Sequence, residues 1–172
     1  MEISMFSSKI LSPRLLGATA IAGLALAAAP AHAATATSTL DVNATVTSSC
    51  AVTTSALAFG NVDVTSGSNA DGTGSISVTC TNGTAWAAAA DAGAGTGATV
   101  ASRKMTSGAN LLNYALYSNS SRTTVWGNGV GETIGGTGTG TAQSTTIYGR
   151  IPSGQTVPSG DYADTVNVTV TY

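Results

Sequence analysis

Only two cysteines, Cys50 and Cys80, occur in the 172-residue chain, and its single histidine, His32, lies near the N-terminus. A thiolate nucleophile or a transition-metal site draws on histidine as base or co-ligand. None is present beyond residue 33. A serine or threonine nucleophile lacks its base for the same reason. Carboxylates are the remaining route. Asp161 and Asp164 flank the last extended segment, but one leads a Gly-x-Tyr turn and the other opens a strand, where aspartate ordinarily satisfies nearby backbone donors. The Gly-rich stretch 127–140 has neither the Lys-Ser/Thr pair of a nucleotide loop nor the aspartates of a calcium β-roll, and it reads as a surface loop. Four Asn-x-Ser/Thr sequons, at Asn43, Asn82, Asn119 and Asn167, arise readily in a Thr-rich chain and carry no assignment. The residues thus point away from catalysis, and no cofactor or metal site is expected.

The N-terminal segment decides what the cysteines do. Lys9 and Arg14 lead into the apolar run 15–29, and Ala31-His32-Ala33 supplies small residues where a signal peptidase reads. The run is shorter than the roughly 20 residues of a spanning helix, and no basic stop-transfer cluster follows. Residues 1–33 are therefore expected to be a cleaved signal peptide, with no membrane insertion afterwards. In an oxidising compartment an even cysteine count implies a disulfide, here Cys50 with Cys80. Closing that loop is worth about 3–4 kcal/mol in the chain-entropy picture. It matters in a chain this rich in Ala and Gly. After residue 33 there are four basic residues against seven acidic ones, a formal charge of −3. That leaves no electrostatic footprint for phosphate backbones, and nucleic acid is excluded as a partner.

Positioning falls to extended segments. Only 8% of residues are charged, so the stock from which exposed helices are built is missing. Period-2 alternation occurs at 36–46, at Ile76-Val78-Cys80, at Leu112-Tyr114-Leu116 and at Val166-Val168-Val170-Tyr172. Weaker strands are expected at 56–62, 85–90 and 145–151. Turn-forming residues fill 65–74, 92–98, 127–140 and 152–160. About seven strands at this spacing predict an antiparallel β-sandwich.

Taken together, Cys50, Phe59-Gly60, Ser77-Val78-Thr79-Cys80, Arg103 with Met105, the run 112–117, Trp126-Gly127, Tyr148-Gly149-Arg150-Ile151-Pro152 and the run 160–166 resemble the spore coat protein U domain family, which includes subunits of archaic, Csu-type chaperone-usher pili. The resemblance implies an incomplete immunoglobulin-like sandwich over 50–172. It implies export to the periplasm, a periplasmic chaperone, an outer-membrane usher, and neighbouring copies or related pilin subunits as partners.

Residues 34–49 then form an N-terminal extension that is a candidate donor strand. Leu40, Val42, Ala44 and Val46 form its apolar face, expected to fill a neighbour's groove, with Thr39, Asp41 and Thr45 opposite. A sandwich ending at Tyr172 leaves an unpaired edge that an added strand would cover. The competing reading is that 34–49 pairs within its own domain, giving a self-complemented coat or matrix protein. A carbohydrate-binding module would recruit Trp86, Trp126, Tyr114 and Tyr117, although core packing is the ordinary role of such rings.

Overall fold

The computed structural model describes residues 32–172. The expected signal peptide, 1–33, lies outside the described residues except for its last two. The chain divides into two units, Met1–Asn43 and Ala44–Tyr172. In the first, residues 32–43 have no regular secondary structure and are exposed. The second holds eight strands: β1 (Cys50–Ala58), β2 (Ala70–Cys80), β3 (Ala85–Ala90), β4 (Arg103–Ser107), β5 (Asn110–Tyr117), β6 (Ile134–Thr137), β7 (Gln143–Ile151) and β8 (Val168–Thr171). All pairings are antiparallel, in a five-stranded sheet of order β1-β2-β7-β5-β4 and a three-stranded sheet of order β6-β3-β8.

The buried side of each strand follows the sequence alternation. Ile76, Val78 and Cys80 of β2, Leu112, Tyr114 and Leu116 of β5, and Ile147 and Ile151 of β7 face the core, opposite Trp86, Ala88 and Ala90 of β3. The alanines of β3 leave room for Trp126, whose indole N–H donates to the Ala88 carbonyl at 3.1 Å. The large ring thus sits over small neighbours between the sheets. On the larger sheet Gly74 and Gly149 play the complementary part. β1 bulges between Ser55 and Ala58, which turns Leu57 and Phe59 over β2 and β7. A Cβ at Gly149 would lie 2.8 Å from both Leu57 Cδ2 and Phe59 Cζ.

Cys50 and Cys80 stand opposite each other in the β1–β2 register and are joined by a disulfide. The disulfide expected from the sequence thus ties β1 to β2.

Several segments differ from expectation. The strand expected at 56–62 lies instead at Cys50–Ala58, and β4 lies outside every expected strand. Residues 36–46 form no strand, although they alternate. A strand requires a partner ladder, and none is made here. Residues 70–74 belong to β2, not to the loop expected over 65–74, because Gly72 and Gly74 lie where the bulged β1 packs closely. The expected loop 127–140 contains β6, an edge strand that pairs with Ala85–Ala88.

Candidate functional site

Of the residues whose types could do chemistry, the two cysteines and Asp164 are engaged structurally. Both cysteines are in the disulfide. Asp161 is exposed. Asp164 accepts from the Tyr114 hydroxyl at 2.7 Å and from the backbone N–H groups of Ala94 and Thr165 at 2.8 Å. Burial and the adjacent Asp164 push the Tyr114 hydroxyl far above its ordinary value, so it remains a neutral donor. Trp86, Trp126 and Tyr114 are buried in the core, not ranged on an open face.

Among the described residues, a groove of about 450 Å³ opens between the two sheets. Leu57 and Phe59 border it from the β1 side and Val166 and Val168 from the β8 side; Ile76 and Leu116 are among the residues of its apolar floor. A second cavity of about 690 Å³ shares Leu57, Phe59, Met105 and Tyr162 with it and continues toward the loops at 60–64 and 157–161.

Both bordering strands are sheet edges. Asp91 N–H donates to the Asn167 carbonyl at 3.1 Å. Hydrogen-bonded pairs recur every second residue in an antiparallel ladder, so Asn167, Thr169 and Thr171 direct their backbone groups at β3. Those of Val168 and Val170 face the open edge. On the other border, Thr81 N–H donates to Ser49 C=O at 2.9 Å. By the same alternation, Cys50, Val52 and Thr54 present their backbone groups outward from β1. The groove therefore offers an apolar floor between two rows of main-chain donors and acceptors, which fits an extended strand better than a compact ligand.

Under the β8 wall lies Arg103, 0% exposed. Its Nε donates to the Asp91 carbonyl at 2.8 Å, Nη1 to Val100 at 3.0 Å, and Nη2 to Trp126 at 2.9 Å and Ala90 at 3.4 Å. Burial draws its pKa below the ordinary value, partly offset by Tyr114, Asp91 and Asp164 nearby. The Asp91 carboxylate accepts from Gly93 N–H at 2.9 Å, Asn167 N–H at 3.0 Å and Asn167 Nδ2 at 2.6 Å. Partial burial works against its ionisation, but these donors outweigh burial and hold the carboxyl below its usual range. On the outer face, Asp71 accepts from Arg150 at 2.8 Å twice and lies 3.3 Å from Arg122.

Of the residues expected to make donor contacts, Leu40 is 87% exposed and Val42 and Val46 are each 83% exposed. Ala44 is exposed as well. The roles of Arg103 and Asp91 had no signal in the side-chain pattern, because most of their partners are main-chain groups.

Two antiparallel sheets closed over one core, one cross-strand disulfide and an open groove define an immunoglobulin-like structural domain. The spore coat protein U domain matches residues 36–169, and the chain belongs to that family. The chain is 40% identical over 77 residues to Protein U of Myxococcus xanthus, a match covering 44% of this chain and 43% of the relative. The chain thus spans less than half the length of that relative. In fold it is similar to a chain in the crystal structure of the CsuC–CsuE chaperone–tip adhesion subunit pre-assembly complex, from the archaic chaperone-usher Csu pili of Acinetobacter baumannii. The TM-score is 0.59 and the identity 23%, over 74% of this chain and 41% of that one.

Proposed function

We propose that this chain is an exported structural subunit of a surface pilus, assembled by a chaperone-usher pathway, in which residues 34–49 of one copy complete the groove of the next. The observation that carries the reading is the groove itself, with apolar floor and two outward-facing strand edges. Family membership and the fold shared with a chain of the Csu complex support it. About 10 residues of the extension in strand conformation span roughly 33 Å. Leu40, Val42, Ala44 and Val46 would enter the groove, and fully burying each of the larger three contributes about 1.5–3 kcal/mol. A head-to-tail contact of this kind does not close on itself and builds a filament.

In this reading 1–33 is removed on export, a periplasmic chaperone covers the groove in transit, and an outer-membrane usher exchanges the chaperone for the next subunit. No nucleic acid, cofactor or membrane insertion takes part. The family's spore-coat description favours a second reading, a self-complemented coat or matrix protein. Deleting residues 34–49 from the exported protein separates the two. The pilus reading predicts loss of fibres, with the truncated subunit still able to bind a synthetic 34–49 peptide. The coat reading predicts an unstable monomer that the peptide restores, and no fibres from the intact chain.

A further inference from the structure

The chain changes sheets between Ala163 and Val168. Ala163 and Thr106 exchange both main-chain hydrogen bonds, at 3.1 and 2.8 Å, at the β4 edge of the larger sheet. Val168–Thr171 then pairs with β3 in the smaller sheet. The residues between, Asp164 to Asn167, belong to no strand, and Asp164, Thr165 and Val166 line the groove.

Two carboxylates hold this crossing. Asp164 Oδ1 accepts from its neighbour Thr165 N–H and from Ala94 N–H in the β3–β4 connection, while Oδ2 accepts from Tyr114 on β5. Asp91, at the end of β3, takes both the backbone and side-chain N–H of Asn167 and the N–H of Gly93. Its own carbonyl is held by Arg103 Nε. The start and the end of the crossing are thus each tied to a carboxylate that also binds the 91–94 connection. That connection is in turn fixed to the core by the buried arginine.

We propose that Asp91 and Asp164 form a two-point latch on the groove wall, and that these positioning residues set how tightly the groove holds an incoming strand. The inference rests on the strand-acceptor reading. An unpaired edge adjoining an irregular crossing fluctuates unless it is fixed, and a wall ordered in advance removes that ordering cost from binding. Weakening the latch should act mainly on dissociation, because mutations at one interface alter release more than encounter.

The test uses the full exported chain with Asp91→Ala, Asp164→Ala, and the exchange Asp91→Asn with Asn167→Asp. The exchange keeps an oxygen for Gly93 and Asn167 N–H and reverses the amide–carboxylate pair. The first measurement is amide hydrogen exchange, comparing 164–171 with the core of β2. The second is release of a fluorescent 34–49 peptide from the monomeric chain. The alanine variants should accelerate exchange in 164–171, and at the Gly93 or Ala94 amide that each carboxylate also holds, with the core of β2 unchanged, and should release the peptide at least about tenfold faster; the exchange variant should recover most of both. Unchanged exchange in 164–171, or acceleration shared equally by β2, overturns the latch. So does peptide release unaltered by either alanine. If the wild-type chain holds no peptide, the strand-acceptor reading fails, and the exchange pattern alone decides whether the two carboxylates fix the wall.

Discussion

Replacing Arg103 by Met should lower the free energy of unfolding by at least about 3 kcal/mol. The guanidinium is fully buried and makes three hydrogen bonds of 3.0 Å or shorter to main-chain carbonyls, with a fourth at 3.4 Å. Burying a charge is costly, and exchanging a buried ion pair for apolar side chains is often neutral. That exchange is not available here, because the acceptors are the backbone of Ala90, Asp91, Val100 and Trp126. Removing the donors leaves three well-bonded carbonyls unsatisfied, at about 1–3 kcal/mol each. The sum, about 3–9 kcal/mol, is comparable to the whole stability of a typical domain, about 5–15 kcal/mol. Arg103→Lys should recover only part of the loss, since an ammonium cannot reproduce the planar fork that reaches carbonyls on three sides. Urea unfolding with the disulfide intact, followed by tryptophan fluorescence, reads the effect because Trp86 and Trp126 are both buried. A loss below about 1 kcal/mol for Arg103→Met would mean that these carbonyls do not depend on the guanidinium, since one orphaned carbonyl alone costs as much.

Cys50→Ser or Cys80→Ser should lower stability by about 3–4 kcal/mol, and native alkylation of the wild-type protein should find no free thiol. Gly149→Val should displace Leu57 and Phe59 from the slot over β7 and cost about 1–3 kcal/mol, measured by thermal unfolding. Stability should fall on acidification: Asp91 and Asp71 ionise more readily folded than unfolded, so their contribution is complete above the unfolded value of about 3.9 and is lost as pH drops through the lower folded values. Urea midpoints across that range should show the decline, and Asp91→Asn should make it shallower. Val42→Asp should abolish fibres while the sandwich still folds, whereas Thr39→Asp should leave assembly nearly intact, since only the first places an unpaired carboxylate in an apolar groove. Electron microscopy of surface fibres beside circular dichroism of the purified subunit distinguishes the two.

Much of the fold was legible because the inward positions of β5 and β8, and of the Ile76–Cys80 half of β2, are occupied by apolar residues at a spacing of two. β4 was not, since its first inward residue is Arg103, and a charge there breaks the apolar pattern that marks a strand. β6 was hidden by Gly135 and Gly136, the second of which lies against the ring of Trp86. The disulfide followed from cysteine count and compartment, while its placement across the β1–β2 ladder required the register. The alternating extension was visible from residue 36, yet the surface it could occupy was not. That surface depends on which strands end as edges, and Leu57 and Val168, more than a hundred residues apart in sequence, come to border one groove only through topology. The Asp91 and Asp164 contacts were illegible for a related reason: most of their donors are backbone N–H groups, which every sequence contains.

In the proposed assembly, residues 34–49 occupy the groove of another copy. Residue-resolved amide hydrogen exchange, run on the monomer and on assembled fibres, tests it most directly. Amides across 36–48 should exchange rapidly in the monomer and become protected in the fibre, together with Val168 and Val170 on the open edge of β8. Strong and equal protection of 36–48 in both states would contradict that assembly, as would fibres in which the Val168 and Val170 amides stay unprotected.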